Sequence, residues 1–223
     1  MEHESERRAV LDEILERRIT INTHSSVRID TGEKVLYVDP FELREAVHDA
    51  DLIFFTHDHF DHLSPKDAAL ASGPETVFVA PASAAAAARE QAAGRRVVTV
   101  EPGASAEAAG VRFEAVPAYN PGKPFHPRER GWVGYVLNVL GVRIYVAGDT
   151  DATPEAAAVR CDVALLPIGG KYTMDPAQAA GLANEIHPAA VIPTHYGSVV
   201  GRPEDFERFA ALTDPAIRVC RKI

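Results

Sequence analysis

The stretch from Leu52 to Leu63 reads LIFFTHDHFDHL, and it decides how the rest of the sequence is interpreted. An apolar run that passes directly into polar residues is typical of a buried strand followed by a loop. Three histidines and two aspartates occupy six consecutive positions of that loop, with the spacing His-x-His-x-Asp-His. Imidazole and carboxylate groups are the usual protein ligands of Zn²⁺ and similar divalent ions. The stretch therefore predicts a metal site at the end of a strand.

A solvated loop that happens to be rich in histidine is the alternative interpretation of these five ionisable residues. Like groups that crowd the mouth of a buried strand repel one another or lose hydration unless something binds them. The crowding therefore favours a metal site over a solvated loop.

The composition describes a globular protein with a sizeable core. The chain has 223 residues, a net charge of −9 and 46% hydrophobic residues, which suits one α/β domain. No apolar run reaches the roughly 18 residues of a membrane-spanning helix, and the charged start MEHESERR lacks the core of a signal peptide. An acidic chain also argues against nucleic acid as a partner, because such binding needs concentrated lysine and arginine.

The cysteine content favours a reducing compartment. Only Cys161 and Cys220 are present, and two cysteines cannot form a disulfide framework. We therefore expect a cytoplasmic location. The composition leaves the formation of a homo-oligomer open.

The N-terminal residues 1–18 are predicted to form a helix that packs on the main domain, residues 19–223. Val10, Leu11 and Ile14 fall on one face of this helix, with charged residues around the rest. The alternative is a helix that binds a partner, and the single apolar stripe favours packing on the domain.

Strand and helix patterns alternate through the rest of the chain, which predicts an α/β fold. Predicted strands are bounded by glycine, proline or polar residues: 19–29 with His24 inside it, 35–39, 52–56, 76–80, 97–101, 111–116, 135–140, 142–147, 162–168, 189–194 and a short final strand. Predicted helices follow capping residues or an apolar periodicity: 41–49, one that begins at Ser64-Pro65, 82–93, one that begins at Asp175-Pro176, and 204–212. Between them, residues 121–132 are rich in proline and glycine and form either a functional loop or a solvated connection.

Three polar residues follow apolar strands directly or almost directly. They are His57 after LIFFT, Asp149 after IYVAG and His195 after AVIPT. In layered α/β structures, ligand sites collect outside the carboxyl ends of strands. Three such ends can supply one cluster without long loops.

The segments THDHFDH, GDTD and PTHYG, in this order, resemble the metallo-β-lactamase superfamily. The resemblance extends from about Ile19 to Ile223. The shorter segments HSS at 24–26, VDP at 38–40 and YTMDP at 172–176 resemble a branch of lactonase-like proteins. That branch is related to ascorbate-6-phosphate lactonases and to phospholipase D-like hydrolases of N-acylphosphatidylethanolamines. The resemblance implies a four-layer αββα sandwich with metal ions at one edge.

The resemblance also implies roles for individual residues. Metal ligands are expected in two sets that share one carboxylate: His57 and His59 for a first ion, Asp61, His62 and His195 for a second, and Asp149 as the bridge. Asp61 or Asp149 is then the expected catalytic carboxylate, which orients water or accepts its proton. Asp39 is expected to orient ligands by hydrogen bonds.

Other residues are candidates for an outer shell or for contact with substrate. His24 is expected to be an extra ligand or a substrate contact, and the alternative is a buried structural histidine. Lys171, Tyr172, Arg128 and Arg130 are candidates for contact with an anionic substrate, and simple surface exposure is the alternative for Lys171.

The sequence departs from the superfamily pattern at one place. A third histidine of the first metal usually follows the strand predicted at 111–116, but the chain reads Ala118-Tyr119-Asn120. Between His62 and Asp149 the only histidine is His126. Unless Asn120, His126 or His24 fills the position, the first ion is expected to bind more weakly, and dialysed protein to retain nearer one ion than two. Tyr119 is a poor substitute, because a neutral phenol is a weak ligand.

Taken together, these features predict a metal-dependent hydrolase that activates water against an ester, lactone or phosphodiester of a small molecule. Zinc is the first choice of metal, and manganese, iron and nickel also suit mixed imidazole and carboxylate sets. The alternative from another class is a metal- or ligand-binding protein with weak or no catalysis, which the missing histidine supports. A nuclease of the same superfamily is disfavoured by the acidic charge.

Overall fold

Two β-sheets form the centre of the computed structural model, which describes residues 2–223, with side chains from residue 4 onward. The strands of the first sheet are adjacent in chain order: β1 (Ile19–Ile21), β2 (Val27–Asp30), β3 (Val35–Val38), β4 (Ala50–Phe54), β5 (Ser72–Pro81) and β6 (Val97–Val100). β1, β2 and β3 pair antiparallel, whereas β3 to β6 pair parallel. Parallel pairing places the carboxyl ends of β3 and β4 side by side.

The second sheet has the spatial order β13-β12-β11-β10-β9-β8-β7. Its strands are β7 (Ser105–Ala108), β8 (Val111–Pro117), β9 (Val133–Val139), β10 (Val142–Val146), β11 (Val163–Pro167), β12 (Ala190–Thr194) and β13 (Arg218–Val219). β10 to β13 are parallel, and the remaining pairs are antiparallel. The carboxyl ends of β10, β11 and β12 therefore share one edge.

The helices are α1 (Glu2–Glu13, continued by a π-helical turn at Ile14–Arg18), α2 (Pro65–Ala71), α3 (Ala85–Ala92), α4 (Pro154–Ala157), α5 (Pro176–Ile186) and α6 (Asp205–Leu212). All except α1 pack on the outer faces of the sheets, whereas α1 packs against the apolar cluster between them. Alanines of α2 and α3 pack on the first sheet, and α5 with Phe209 of α6 packs on the second. A third apolar cluster, from Leu52 and Phe54 to Tyr135 and Leu165, lies between the sheets. The predicted four-layer αββα sandwich is confirmed.

Local sequence signals explain where two helices begin. The side chain of Ser64 accepts a hydrogen bond from the backbone N–H of Asp67, and Pro65 occupies the first position of α2. Asp175 and Gln178 form a reciprocal capping box at the start of α5. Both helix starts lie where the sequence predicted them.

The helix predicted at 41–49 is wrong. No helix forms there, because the backbone donors of this segment find partners elsewhere. The N–H of Leu43 donates to Asp67 Oδ1 at 2.8 Å, and the N–H groups of Val47 and His48 share the carbonyl of Leu70 at 3.0 Å. Strand β7 and the short helix α4 were not predicted.

The placement of His24 inside a strand is also wrong. His24 lies in a tight turn between β1 and β2 and has a left-handed φ of 53°. The turn is closed by backbone hydrogen bonds from Asn22 to Ser26 and from Ser26 to Thr23. As a consequence, the strand predicted at 19–29 is divided and His24 lies at the edge of the sheet.

The N-terminal helix contributes to the core. Ile14 and Leu15 are buried in the cluster between the sheets, and Val10 and Leu11 pack against it. The division of the chain at residue 18 stays a prediction. Among the described residues, no helix combines the length and the apolar character that crossing a bilayer requires.

Candidate metal centre

Three strand ends deliver the polar residues that the sequence predicted as a cluster. His57 follows β4 of the first sheet, whereas Asp149 and His195 follow β10 and β12 of the second. The sheets pack face to face, so these ends meet at one edge of the sandwich. There, Asp149 Oδ2 lies 3.0 Å from His195 Nε2, and Asp149 Oδ1 lies 3.3 Å from His62 Nε2.

Among the described residues the donor atoms form three groups, in each of which all atoms lie within 4.8 Å of one another, and two of these groups share no residue. The first cluster contains three histidines: His57, His59 and His126. The second cluster contains four residues: His24, Asp61, His62 and His195. Both groups have the composition of a transition-metal site.

Asp149 lies between the two clusters. Its Oδ2 is 3.3 Å from Nε2 of His126 in the first cluster and 3.0 Å from Nε2 of His195 in the second. Asp149 also groups with His57 and His62 within 4.8 Å. This carboxylate is therefore placed to serve both clusters.

His126 occupies the position that the sequence pattern left without a histidine. The residue lies six positions after Asn120, and the two are joined twice. Nδ1 of His126 donates to Oδ1 of Asn120 at 2.6 Å, and the N–H of Asn120 donates to the carbonyl of His126 at 2.8 Å. Since Nδ1 carries the proton, the lone pair of Nε2 is available to the first cluster. The expectation of a weaker first site loses its reason, because that site has a third imidazole.

The sequence held one signal for this arrangement. Pro121, Gly122 and Pro124 are turn residues, and Gly122 has a φ of 79°. Such a turn allows the chain to leave the strand end and return to it. His126 can then take the place of the histidine that follows this strand directly in the superfamily pattern.

Asp39 is hydrogen-bonded to His62, and its role in orienting a metal ligand stays a prediction. Its Oδ2 accepts a hydrogen bond from Nδ1 of His62 at 2.7 Å. The same carboxylate accepts bonds from the hydroxyl of Thr56 at 2.6 Å and from its N–H at 2.8 Å. Sequence reasoning missed Thr56. Its hydroxyl lies 2.9 Å from Nδ1 of His57 in the first cluster and 3.4 Å from Nδ1 of His62 in the second.

His24 is a buried member of the second cluster. Its Nε2 lies 3.2 Å from Oδ2 of Asp61, and its ring centroid lies 3.8 Å from that of His195. The backbone carbonyl of His24 accepts a hydrogen bond from the N–H of His195 at 2.9 Å. Burial lowers the pKa of His24 to about 4, although the hydrogen bond to Asp61 opposes this. His24 is therefore neutral at pH 7.

Burial and neighbouring charges shift the pKa values of the other groups in different directions. Burial, with the charge of His62, lowers the pKa of His57 well below its ordinary value, and burial also lowers the pKa of His59. Burial alone would lower the pKa of His62, but the charges of Asp149 and Asp39 raise it well above the ordinary value. Burial opposes ionisation of Asp149, yet His195 and His62 hold its pKa well below the usual range.

The unpaired polar atoms of the centre fit a divalent ion. Several buried side-chain atoms at this edge of the sandwich make no hydrogen bond of good geometry, among them Nε2 of His57, His62, His126 and His195, and Oδ1 of Asp149. The carboxylate of Asp149 lies 3.0–3.3 Å from Nε2 of His62, His126 and His195, so these atoms face one another without being well paired. Leaving a buried polar atom unpaired costs about 1–3 kcal/mol. Imidazole nitrogens and a carboxylate oxygen are the donors that zinc and related ions take. The residues present therefore fit the metal that the motif predicts.

Trp132 packs against the first cluster, and sequence reasoning missed it. Its ring centroid lies 5.0 Å from that of His57, 4.8 Å from that of His59 and 5.5 Å from that of His126. The guanidinium of Arg130 lies 4.9 Å above the indole. Trp132 is the only tryptophan of the chain, which makes it a fluorescent reporter for this cluster.

The candidate substrate contacts lie around the loop that carries His126. The Nζ of Lys171 lies 4.9 Å from the ring of Tyr172, which in turn packs on Phe125 at 4.8 Å. The two arginines already have acidic partners: Arg128 pairs with Glu155 at 2.7 Å and Arg130 with Asp58 at 3.1 Å. Contact of these four side chains with a substrate stays a prediction.

Comparison with known proteins gives the family. A β-lactamase superfamily domain matches residues 18–195. A UPF0173 metal-dependent hydrolase of Aeropyrum pernix is 32% identical over 220 residues, which cover 86% of this chain and 88% of that protein. One from Thermoplasma acidophilum is 34% identical over 194 residues, with coverage of 81% and 84%. A crystal structure from Parabacteroides distasonis, provisionally named a metal-dependent hydrolase, has a TM-score of 0.76 and 31% identity, covering 91% of both chains.

The chain therefore belongs to the metallo-β-lactamase superfamily and, within it, to the UPF0173 metal-dependent hydrolases, which confirms the resemblance seen in the sequence.

Proposed function

We propose that this chain is a hydrolase that uses two divalent ions, one in each cluster, against an ester, lactone or phosphodiester bond of a small molecule. The observation that supports this proposal most is the placement of Asp149 between two groups of buried donor atoms. The names of the relatives support the general class of metal-dependent hydrolase and leave the substrate open. Zinc is the proposed ion, because imidazole nitrogens dominate both clusters.

The three imidazoles of the first cluster, with Asp149, would hold one ion. Asp61, His62 and His195, with the same Asp149, would hold the other. These residues would offer each ion at most four protein donors. Zinc in catalytic sites takes three protein ligands with an open position or expands its shell. His24 is proposed to act on Asp61 rather than as a fifth donor, because its Nε2 already lies 3.2 Å from Asp61 Oδ2.

When bound, divalent ions polarise the carbonyl or phosphoryl oxygen of a substrate and lower the pKa of water. The chain's own residues then position the attacking water and accept its hydrogen bonds. Burial opposes the ionisation of Asp61, but its hydrogen bond with His24 lowers the pKa of this carboxyl below the ordinary value. Asp61 therefore stays ionised at neutral pH, so its carboxylate can orient attacking water by accepting a hydrogen bond from it. Asp149, which lies between imidazoles, is proposed to hold the two clusters together.

The alternative of a binding protein without catalysis rested on the missing histidine. Because His126 lies with His57 and His59, this reason no longer applies. The hydrolase is the function that the donor set supports best.

The test measures turnover of a generic lactone, a phosphodiester and an ester by zinc-loaded protein. We expect the variant Asp61→Ala to lose at least 100-fold in kcat/KM on whichever substrate is turned over, because it removes a donor of the second cluster together with the carboxylate that positions water. Asp51→Ala is the matched control, because Asp51 pairs with Lys34 at the other end of the first sheet's strands. Turnover that survives thorough chelation, or that is equal in Asp61→Ala and Asp51→Ala, would reject the proposal.

A further inference from the structure

We propose that Lys123 is a positioning residue that holds the loop carrying His126 against the centre. The affinity of the first cluster for metal then depends on a side chain that lies outside it. This inference rests on the proposed metal-binding function of the first cluster and extends it to the loop at residues 121–125.

The inner side of this loop determines where His126 lies. Asn120 and His126 are joined by one side-chain and one backbone hydrogen bond, at 2.6 and 2.8 Å. The five residues between them, PGKPF, are exposed or half-buried and connect the two ends of this closed base. A displacement of these residues that breaks the two bonds would change the direction of Nε2 of His126, and this is the link that the proposal uses.

The outer side of the loop is held by Lys123. Its Nζ donates to Oδ1 of Asp151 at 2.7 Å and to the carbonyl of Thr173 at 2.7 Å. Asp151 lies two residues after Asp149, and its N–H donates to the carbonyl of Tyr119 at 3.0 Å. The ammonium group thus joins three segments: the loop of His126, the segment that carries Asp149 and the segment that follows β11.

The ion pair between Lys123 and Asp151 is largely shielded from water. The side chains of Lys123 and Asp151 are 25% and 12% exposed, so water screens the pair less than it screens a surface ion pair. Charge-assisted hydrogen bonds of this length are the stronger kind. The ring contact between Phe125 and Tyr172 packs the same loop on the same neighbouring segment.

The expected loss of metal affinity depends on the fraction of time that the loop holds His126 in place. If the loop without the lysine spends most of its time away from the centre, the apparent affinity of the first cluster falls by the fraction of time that His126 is in place. Residues that orient a metal ligand typically contribute 10- to 100-fold in affinity. Asn120, which contacts the ligand directly, should lie at the upper end of that range and Lys123 at the lower end.

The experiment isolates each cluster with a background substitution. Asp61→Ala weakens the second cluster only, and His59→Ala weakens the first only, because each residue belongs to one cluster. Metal-free protein of each background is titrated with Co²⁺, followed by quenching of Trp132 fluorescence and by Co²⁺ absorption. Variants added to each background are Lys123→Met, Lys123→Arg, Asn120→Ala and the control Lys34→Met, whose ammonium also donates to an aspartate, Asp51, at 2.9 Å.

In the Asp61→Ala background we expect Lys123→Met to raise the dissociation constant of Co²⁺ about 10-fold, and Asn120→Ala to raise it at least as much. Lys123→Arg should recover most of the affinity, and Lys34→Met should match its background. In the His59→Ala background, Lys123→Met should leave Co²⁺ binding unchanged. Thermal melting of the metal-free variants checks their folding, and Asp151→Ala, which removes the acceptor instead, should weaken the first cluster in the same way.

Two results would overturn the inference. If Lys123→Met and Asp151→Ala bind Co²⁺ in the first cluster as tightly as Lys34→Met does, the lysine does not position His126. If they weaken both clusters equally, the lysine has a general structural role. A parent protein that binds no Co²⁺ beside Trp132 would instead reject the proposed metal function together with this inference.

Discussion

The imidazole of His62 lies between two carboxylates. Its Nδ1 donates to Asp39 at 2.7 Å, and its Nε2 lies 3.3 Å from Oδ1 of Asp149. Burial disfavours the charged ring, but these two negative charges outweigh burial and raise the pKa of His62 well above its ordinary value. In the metal-free protein these two carboxylates therefore favour the charged ring, which has a proton on each nitrogen, including the nitrogen that would bind an ion.

We predict that binding of metal at pH 7 displaces this proton. Calorimetric titration with Zn²⁺ in two buffers of different ionisation enthalpy should show the release of about one proton. The variant Asp39→Asn should release less, because asparagine removes one of the two negative charges that raise the pKa of His62. Metal affinity should accordingly increase with pH until His62 is neutral. A binding heat that does not depend on the buffer would show that His62 is already neutral before the ion arrives.

At the scale of the elements, the neighbouring parallel strands β11 and β12 deliver the second cluster's His195. Pro167 and Thr194 are paired in register at the ends of these strands. Gly169 follows β11 and lies directly beside the backbone of His195. A Cβ at this position would overlap the carbonyl oxygen of His195 and the side chain of Val200 more closely than real Cβ atoms approach. Glycine is therefore required for the two strand ends to lie this close.

We predict that Gly169→Ala moves His195 and weakens Zn²⁺ binding by the second cluster 10- to 100-fold, the usual cost of disturbing a ligand's support. Gly181→Ala is the matched control. Gly181 lies inside α5, where a Cβ would meet nothing within 4 Å, so alanine should stabilise the fold by about 0.5–1 kcal/mol through its helix propensity. Chelator competition and urea unfolding measure the two effects. Unchanged metal binding in Gly169→Ala would mean that the backbone relaxes without moving the ligand.

At the scale of the whole molecule, the sandwich buries neutral histidines at its edge. The pKa values of His24, His57 and His59 lie below the ordinary value, because burial disfavours their charged forms. In the unfolded chain these rings titrate near pH 6.5. As the pH falls below about 6.5, the unfolded state takes up protons first, and folding stability is lost. His62 has the opposite sign, since its raised pKa contributes stability below pH 6.5 that is lost as pH rises through the folded value.

We predict that metal-free protein loses stability between pH 7 and pH 5 and that His24 accounts for about 2 kcal/mol of the loss, from its shift to a pKa of about 4. Urea unfolding at the two pH values measures this. His24→Asn should reduce the pH dependence by that amount, and His187→Asn, at an exposed left-handed position, should leave it unchanged. Equal pH dependence in all three proteins would show that His24 is not buried as described.

The elements that sequence analysis predicted well are those whose signals are local. Ser64-Pro65 and Asp175-Pro176 each satisfy the first donors of a helix with a side chain nearby in sequence, so no tertiary information is needed. Prediction failed where the hydrogen-bond acceptor is distant in sequence. Residues 41–49 have helical composition, but their backbone donors bond to Asp67 and Leu70 of a helix that follows more than twenty residues later.

The sequence by itself determined the chemical types of the clustered donor groups and the strand ends that present them, because both depend on short-range pattern: an apolar run, then histidine and aspartate at fixed spacing. It determined the superfamily for the same reason. Only the tertiary structure decided that His126 completes the first cluster, that Asp149 lies between the clusters, and that Lys123 connects the loop to two other segments. These are contacts between residues that are distant in sequence, and they exist only because the two packed sheets bring the ends of β4, β10 and β12 to one edge.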